Sequence, residues 1–161
     1  MKSNNGNSIA IKQNGRGILA EMTVAAAPDR AWHVLTSFEE MSTHLSGFSQ
    51  SKVVQRENNH RLVEQTAKVG IPLLSVSFRV VMSVVEDRPY LHFRQLQGSF
   101  SSFRGHWWVD PESTGNGTRI QYFLEASLAR GWKRGPVRHQ IKSMIHQNLQ
   151  ELAVWIDNGG A

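Results

Sequence analysis

Seven histidines and 13 acidic side chains are the first places to look for chemistry in this chain of 161 residues. None falls into a standard pattern: there is no His-Glu-x-x-His pair, no Gly-x-Ser-x-Gly elbow and no phosphate-cradling P-loop. There is no cysteine, which excludes a disulfide scaffold, a thiol nucleophile, an iron–sulfur cluster and a thiolate zinc site. His139 and His146 share a face of the last helical segment but sit two turns apart, about 10 Å along the axis. One ion held about 2 Å from each ligand cannot take both. His92 and His106 fall on the outward parity of their strands. No metal and no cofactor is therefore expected. Glu39-Glu40, and Asp110 with Glu112, are sequence neighbours that read as solvated surface rather than as an acid–base pair.

The side chains better suited to hold something are neutral. Gln65, Gln95, Gln97 and Tyr122 each fall on the inward parity of a strand. A buried amide needs a partner, so these groups either satisfy backbone and one another or face a cavity and orient a ligand's polar end. A second concentration is basic. Arg130, Lys133, Arg134, Arg138 and Lys142 surround Trp132 with no acid among them, in a chain of net charge +5. Tryptophan among Lys and Arg suits contact with anionic lipid. A phosphate contact to RNA or a ribosome is the weaker alternative, and an ordinary basic helix start with a packed Trp is the plain one. Positive charge at a helix N-terminus opposes the macrodipole, so helix stability does not call for it.

The elements that position these residues follow from periodicity. Ile9–Gln13 and Ile18–Ala26 flank the turn Asn14-Gly15-Arg16-Gly17 and read as a hairpin. Pro28 opens a helix carrying Ala31, Val34, Leu35 and Phe38 at helical spacing; Glu39–His44 forms a second short helix, ended by Gly47. Six strands follow, at Phe48–Arg56, His60–Val69, Ser75–Glu86, Tyr90–Gln97, Phe100–Val109 and Thr118–Leu128. Tight turns between successive strands imply antiparallel pairing. Alternation puts Val63, Gln65, Ala67 and Val69 inward, then Val76, Phe78, Val80, Met82 and Val84. Leu91 and Phe93 follow, then Phe103, Gly105, Trp107 and Val109, then Ile120, Tyr122, Leu124 and Ala126. A bulge would shift this parity, and Gly98 and Gly105 are the expected places. From Pro136, a stripe of Val137, Ile141, Met144, Ile145, Leu149, Leu152, Ala153 and Ile156 marks one long amphipathic helix. Only that stripe is long enough to cover the sheet, so an α+β architecture is expected, with a curved antiparallel sheet wrapped around the C-terminal helix.

Hydrophobic residues at 40% and charged residues at 19% exclude wholesale disorder. Residues 1–8 read as a disordered N-terminal tail, 9–157 as a single domain and 158–161 as a C-terminal tail. No apolar run approaches the roughly 18 residues of a spanning helix, and the opening residues hold no signal-peptide core. The expected location is cytoplasmic, or exported if a leader once preceded this sequence.

Several local motifs, in this order, resemble the START-like superfamily of polyketide cyclase/dehydrase and lipid-transfer type, near its bacterial and coenzyme-Q-binding-like members. They are Ala26-Ala27-Pro28-Asp29-Arg30-Ala31-Trp32-His33-Val34-Leu35-Thr36, Leu45-Ser46-Gly47-Phe48 with Ser51, Arg61-Leu62-Val63-Glu64-Gln65, Gly98-Ser99-Phe100 through Gly105-His106-Trp107, and Gly117-Thr118-Arg119-Ile120-Gln121-Tyr122. Ser37 and His44-Leu45-Ser46 depart from the family pattern. The resemblance implies a helix-grip fold and a cavity between sheet and C-terminal helix. Gln65, Phe78, Val80, Met82, Phe93, Gln95, Trp107, Tyr122, Leu124, Ile141, Met144, Ile145 and Leu149 would wall it. It also implies that the basic segment borders the cavity mouth, where Arg130, Trp132, Lys133, Arg134 and Arg138 would face membrane or phosphate.

The expected function is binding or transport of an apolar small molecule: a lipid, an isoprenoid quinone or a polyketide-like compound. The alternatives are a cyclase or dehydratase, which would need a titrating group in the cavity, and a ribosome- or RNA-interacting module using the basic loop. Among the inward residues only Tyr122 titrates, which weighs against the enzyme, and no catalytic residue is assigned.

Overall fold

The structure is a computed structural model describing residues 8–71, 74–113, 115, 117–128 and 134–159, without the side chains of 71, 74 and 134–138. Among the described residues eight strands form one sheet, in the order β1-β2-β8-β7-β6-β5-β4-β3, and every neighbouring pair is antiparallel. β1 is Ile9–Asn14, β2 Gly17–Val24, β3 Phe48–Glu57, β4 His60–Ile71, β5 Leu74–Asp87, β6 Tyr90–Gly98, β7 Phe100–Pro111 and β8 Thr118–Leu128. Between β2 and β3 lie α1 (Pro28–Leu35), a 3-10 turn at Phe38–Glu40 and α2 (Met41–His44). The long helix α3 spans Arg134–Asp157, two residues earlier than Pro136 would suggest. This is the curved sheet and C-terminal helix of the helix-grip α+β fold. The one non-sequential pairing, β2 with β8, joins the first hairpin to the end of the meander.

The alternation holds where the ladders are regular. Val63, Ala67, Val69, Val76, Phe78, Val80, Met82, Val84, Leu91, Phe93, Val109, Ile120 and Leu124 are buried on one face. α3 lays Ile145, Leu149, Leu152, Ala153 and Ile156 against that face. Each large aliphatic side chain among them, fully buried, contributes roughly 1.5–3 kcal/mol. Trp155, outside the expected stripe, is buried too and stacks on His44 with ring centroids 4.2 Å apart. The C-terminal end of α3 is held by α1: the Arg30 guanidinium donates to the carbonyls of Trp155 and Ile156 at 3.2 and 3.3 Å. A cation there also complements the helix dipole.

The parity breaks once on β6. Gln97 pairs with Val81 and Gln95 with Met82, so Leu96 is the extra residue of a bulge. Gln97 is consequently exposed rather than inward. Neither expected place is the bulge itself: Gly98 pairs with Val80, and Gly105 keeps regular register between Phe93 and Leu124. Gly47 does not end α2, which stops at His44; its φ is not left-handed, and its role is close approach to α3.

The outer face of the sheet is held by cross-strand charge pairs. Glu21 takes Arg119 at 3.0 Å and Gln121 at 2.8 Å, and Glu64 takes Arg79 at 3.1 Å. No helix among the described residues is long and apolar enough to cross a membrane.

Candidate functional site

Between α3 and the concave face of the sheet lies a cavity of about 150 Å³. Of the residues expected to wall it, the structure brings twelve together: Gln65 from β4, Phe78, Val80 and Met82 from β5, Phe93 from β6, Trp107 from β7, Tyr122 and Leu124 from β8, and Ile141, Met144, Ile145 and Leu149 from α3. Gln95 is not among the lining residues. Its amide is turned onto the neighbouring strand end, donating to the Phe100 carbonyl at 2.8 Å and accepting from the Phe100 N–H at 3.3 Å. The bulge at Leu96 brings Gln95 to that strand end, where the backbone satisfies its amide instead of a ligand.

Several lining residues were not expected. Leu35, Phe38, Met41, Leu45 and Phe48 come from the helical segment and the start of β3, and Phe100 comes from β7; Phe103, also lining, was on the expected inward face. Asn148 from α3 is the polar addition. Its spacing carried a signal, because it lies one turn from Met144 and one from Leu152 and so falls on the apolar stripe.

Six aromatic rings run along the wall in sequence of contact. Phe78 meets Phe100 at 5.3 Å between centroids, Phe100 meets Phe103 at 5.0 Å, and Phe103 meets Phe93 at 5.6 Å. Phe93 meets Tyr122 at 5.9 Å, and Tyr122 meets Trp107 at 4.3 Å. Offset and tilted pairs at these separations each add about 0.5–1.5 kcal/mol beyond their buried area. They also make a stiff surface.

No charged side chain is among the described residues lining the cavity. Its polar groups among the described residues are Gln65, Trp107, Tyr122 and Asn148. The Gln65 amide donates to Ser51 Oγ at 3.1 Å and lies 3.3 Å from Met41 Sδ. Burial pushes the Tyr122 phenol above its ordinary pKa, so it stays a neutral hydroxyl at any working pH. Asn148 Oδ1 is buried and has no hydrogen-bond partner among the described residues. Leaving such an acceptor unmatched costs about 1–3 kcal/mol.

Beside Asn148, α3 is clasped to the loop before β3. The Glu151 carboxylate accepts from the Ser46 backbone N–H at 2.6 Å, from the Ser46 hydroxyl, and from Gln147 Nε2 at 3.0 Å. Burial alone would raise the Glu151 pKa, but the bonds from Ser46 and Gln147 outweigh it and hold it below the ordinary value of 4.5. A depressed folded-state pKa means this stabilisation is present above the unfolded value, and is lost as pH falls through the folded one. Glu151→Gln should therefore cost about 1 kcal/mol at pH 7, the solvent-screened worth of a charged hydrogen bond. Its urea midpoint should also fall less than that of the wild type between pH 5 and pH 3. Parallel pH profiles for the two proteins would show that the carboxylate contributes nothing.

The basic segment is another matter. Arg130, Trp132 and Lys133 lie outside the described residues, as do the side chains of Arg134 and Arg138 in the first turns of α3. Among the described residues no three metal-ligating side chains come together, and His139 and His146 are exposed.

The fold recurs in solved structures. The protein TTHA0849 from Thermus thermophilus superposes with a TM-score of 0.73 at 22% identity over 89% of this chain and 96% of that one. A STAR-related lipid transfer protein from Xanthomonas axonopodis gives 0.72 at 11% identity, over 94% of this chain and 99% of that one. The Zhui aromatase/cyclase from Streptomyces sp. R1128 gives 0.65 at 14%, over 94% and 92%. At these identities the likeness is one of fold. No match was found among curated protein sequences. The model of one sequence family, described as polyketide cyclase / dehydrase and lipid transport, matches residues 24–153, from the end of β2 almost to the end of α3. The chain belongs to that polyketide cyclase/dehydrase and lipid transport family.

Proposed function

We propose that the chain binds or carries an apolar small molecule in the cavity between the sheet and α3, as a non-enzymatic binder. Lipid, isoprenoid-quinone and polyketide-like compounds all have the chemistry. The observation that carries this reading is the wall itself: six linked aromatic rings and aliphatic side chains, with four neutral polar groups and no charge among the described lining residues. Apolar walls with a few placed polar groups are what small-molecule sites have in common. The similarity in fold to a lipid transfer protein and to an aromatase/cyclase supports it. At about 150 Å³, the cavity takes one ring or a short acyl segment as it stands. A larger ligand would place only that part inside, or would part α3 from the sheet.

Enzymatic cyclisation or dehydration would need a group that gives or takes a proton near neutral pH. The Tyr122 phenol, pushed up by burial, is held away from that range. Native and denaturing mass spectra of the purified protein, with no ligand added, test the reading. The expected result is a stoichiometric apolar passenger in the native spectrum that is released on denaturation. An empty, homogeneous native spectrum, together with no uptake of added p-xylene, would refute it.

A further inference from the structure

One polar group in the cavity wall is deep, unpartnered and still open. No described residue hydrogen-bonds the Tyr122 hydroxyl, and burial is the sole cause that moves its pKa. Its oxygen is nevertheless not among the unpartnered side-chain atoms that the protein seals completely. It therefore keeps accessible surface. Tyr122 lines the cavity, and at this depth the surface its oxygen keeps is cavity surface. The ring is held on two sides, by Trp107 at 4.3 Å between centroids and by Phe93 at 5.9 Å. Packing thus fixes where the hydroxyl points. A phenylalanine would supply the same ring with no hydroxyl to leave unmatched. The tyrosine makes physical sense if the cavity's occupant completes it.

The direction of that missing bond follows from the phenol itself. Conjugation with the ring makes a neutral phenol a better donor than acceptor, and burial keeps its proton in place at any working pH. The occupant must then present an acceptor. A carbonyl oxygen does so without bringing a donor of its own that needs a partner. A carboxylate would also accept, but no charged side chain among the described lining residues would offset its desolvation. Two other polar atoms of the wall are already placed: the Gln65 amide nitrogen is committed to Ser51 and Met41, and Asn148 Oδ1 is sealed against Gly47. The size of the cavity matches a single ring, since an empty apolar cavity of about 150 Å³ binds benzene in another protein.

Resting on the apolar-binding reading, we propose that the buried part of the ligand is an uncharged ring or short acyl unit bearing a carbonyl oxygen, and that the Tyr122 hydroxyl donates to it. Tyr122 is then the residue that distinguishes carbonyl compounds from plain hydrocarbons of the same shape.

The test uses acetophenone and α-methylstyrene, which differ by a carbonyl oxygen in place of a methylene. Both are titrated calorimetrically into the wild type and into Tyr122→Phe, which should fold as the wild type does because the hydroxyl has no partner among the described residues to lose. The expected result is a fall of about tenfold in acetophenone affinity on substitution, about 1.4 kcal/mol, with α-methylstyrene unchanged or tighter. The infrared carbonyl stretch of acetophenone bound to the wild type reads the same bond should the variant not fold: it should lie below its position in hexane, and a stretch at the hexane position overturns the assignment. If α-methylstyrene binds and the affinity ratio is equal in the two proteins, the assignment to Tyr122 is overturned while the apolar-binding reading stands. If the wild type takes up neither compound, both are overturned.

Discussion

Ala67→Phe should abolish uptake of p-xylene, lowering its affinity at least tenfold, and should leave the protein folded and slightly more stable. Ala67 is on β4, buried, and its small side chain faces the cavity between Phe48 and Phe78 on the neighbouring strands. A ring placed there occupies space that is empty in the folded protein. Filling such space typically stabilises by about 0.5–2 kcal/mol. The two effects have opposite signs, and that makes the experiment informative. A substitution that merely damaged the fold would lower binding and melting temperature together. Ala126→Phe approaches from β8 on another wall and should do the same. Unchanged p-xylene binding in both variants, with both folded, would mean that the ligand sits elsewhere.

Gly105→Ala should be the most damaging single methyl in the sheet. Gly105 is inward on β7, paired with Phe93 and Leu124. A Cβ there would fall on the carbonyl oxygen of Phe123 and within 2.7 Å of the Phe93 ring. A backbone carbonyl held in a ladder cannot step aside as a flexible side chain can. β7 and β8 must separate locally, or the aromatic wall must shift. We expect a loss of about 3 kcal/mol, at the upper end of what overpacking costs, read as a lower urea midpoint with an unchanged slope. Gly70→Ala is the control. Gly70 is also in a strand, but nothing among the described residues lies within 4 Å of where its Cβ would be. Its substitution should be neutral or slightly stabilising. Equal stability of the two variants would show that the close approach at Gly105 has no energetic consequence.

Much of the fold was legible because period-two and period-3.6 patterns are local. The inward sets on β4, β5, β7 and β8 need only a regular ladder, and there they hold. On β6 the pattern runs out early: Leu96 bulges, Gln97 turns outward, and Gln95 spends its amide on Phe100. A bulge depends on how a strand fits its neighbours, and β6 has no glycine at Leu96 to mark it. By residue type alone Gly47 reads as a helix stop, whereas its small size serves packing against Asn148. Leu35, Phe38 and Met41 of the helical segment, none of them assigned to the wall from the sequence, close one side of the cavity.

Tyr122 and Asn148 show where the boundary lies. Alternation on β8 puts Tyr122 inside, and the sequence around it holds no acid or base on the same face, so a neutral, apolar interior follows from residue order alone. The stripe on α3 likewise puts Asn148 on the inner face, one turn from Met144 and Leu152. Whether a polar group on such a face finds a partner is another question. Gln65 and Asn148 are both amides on inward positions; the first reaches Ser51 across a strand pair, and the second reaches nothing among the described residues through its oxygen. Hydrogen bonds between elements require donor and acceptor within about 3 Å, and that distance is set by sheet register and by how far α3 sinks onto the sheet. Periodicity therefore determined which side chains face the interior, and only the docking of helix on sheet decided that a cavity remains there and that Asn148 Oδ1 is buried against Gly47 without a partner among the described residues.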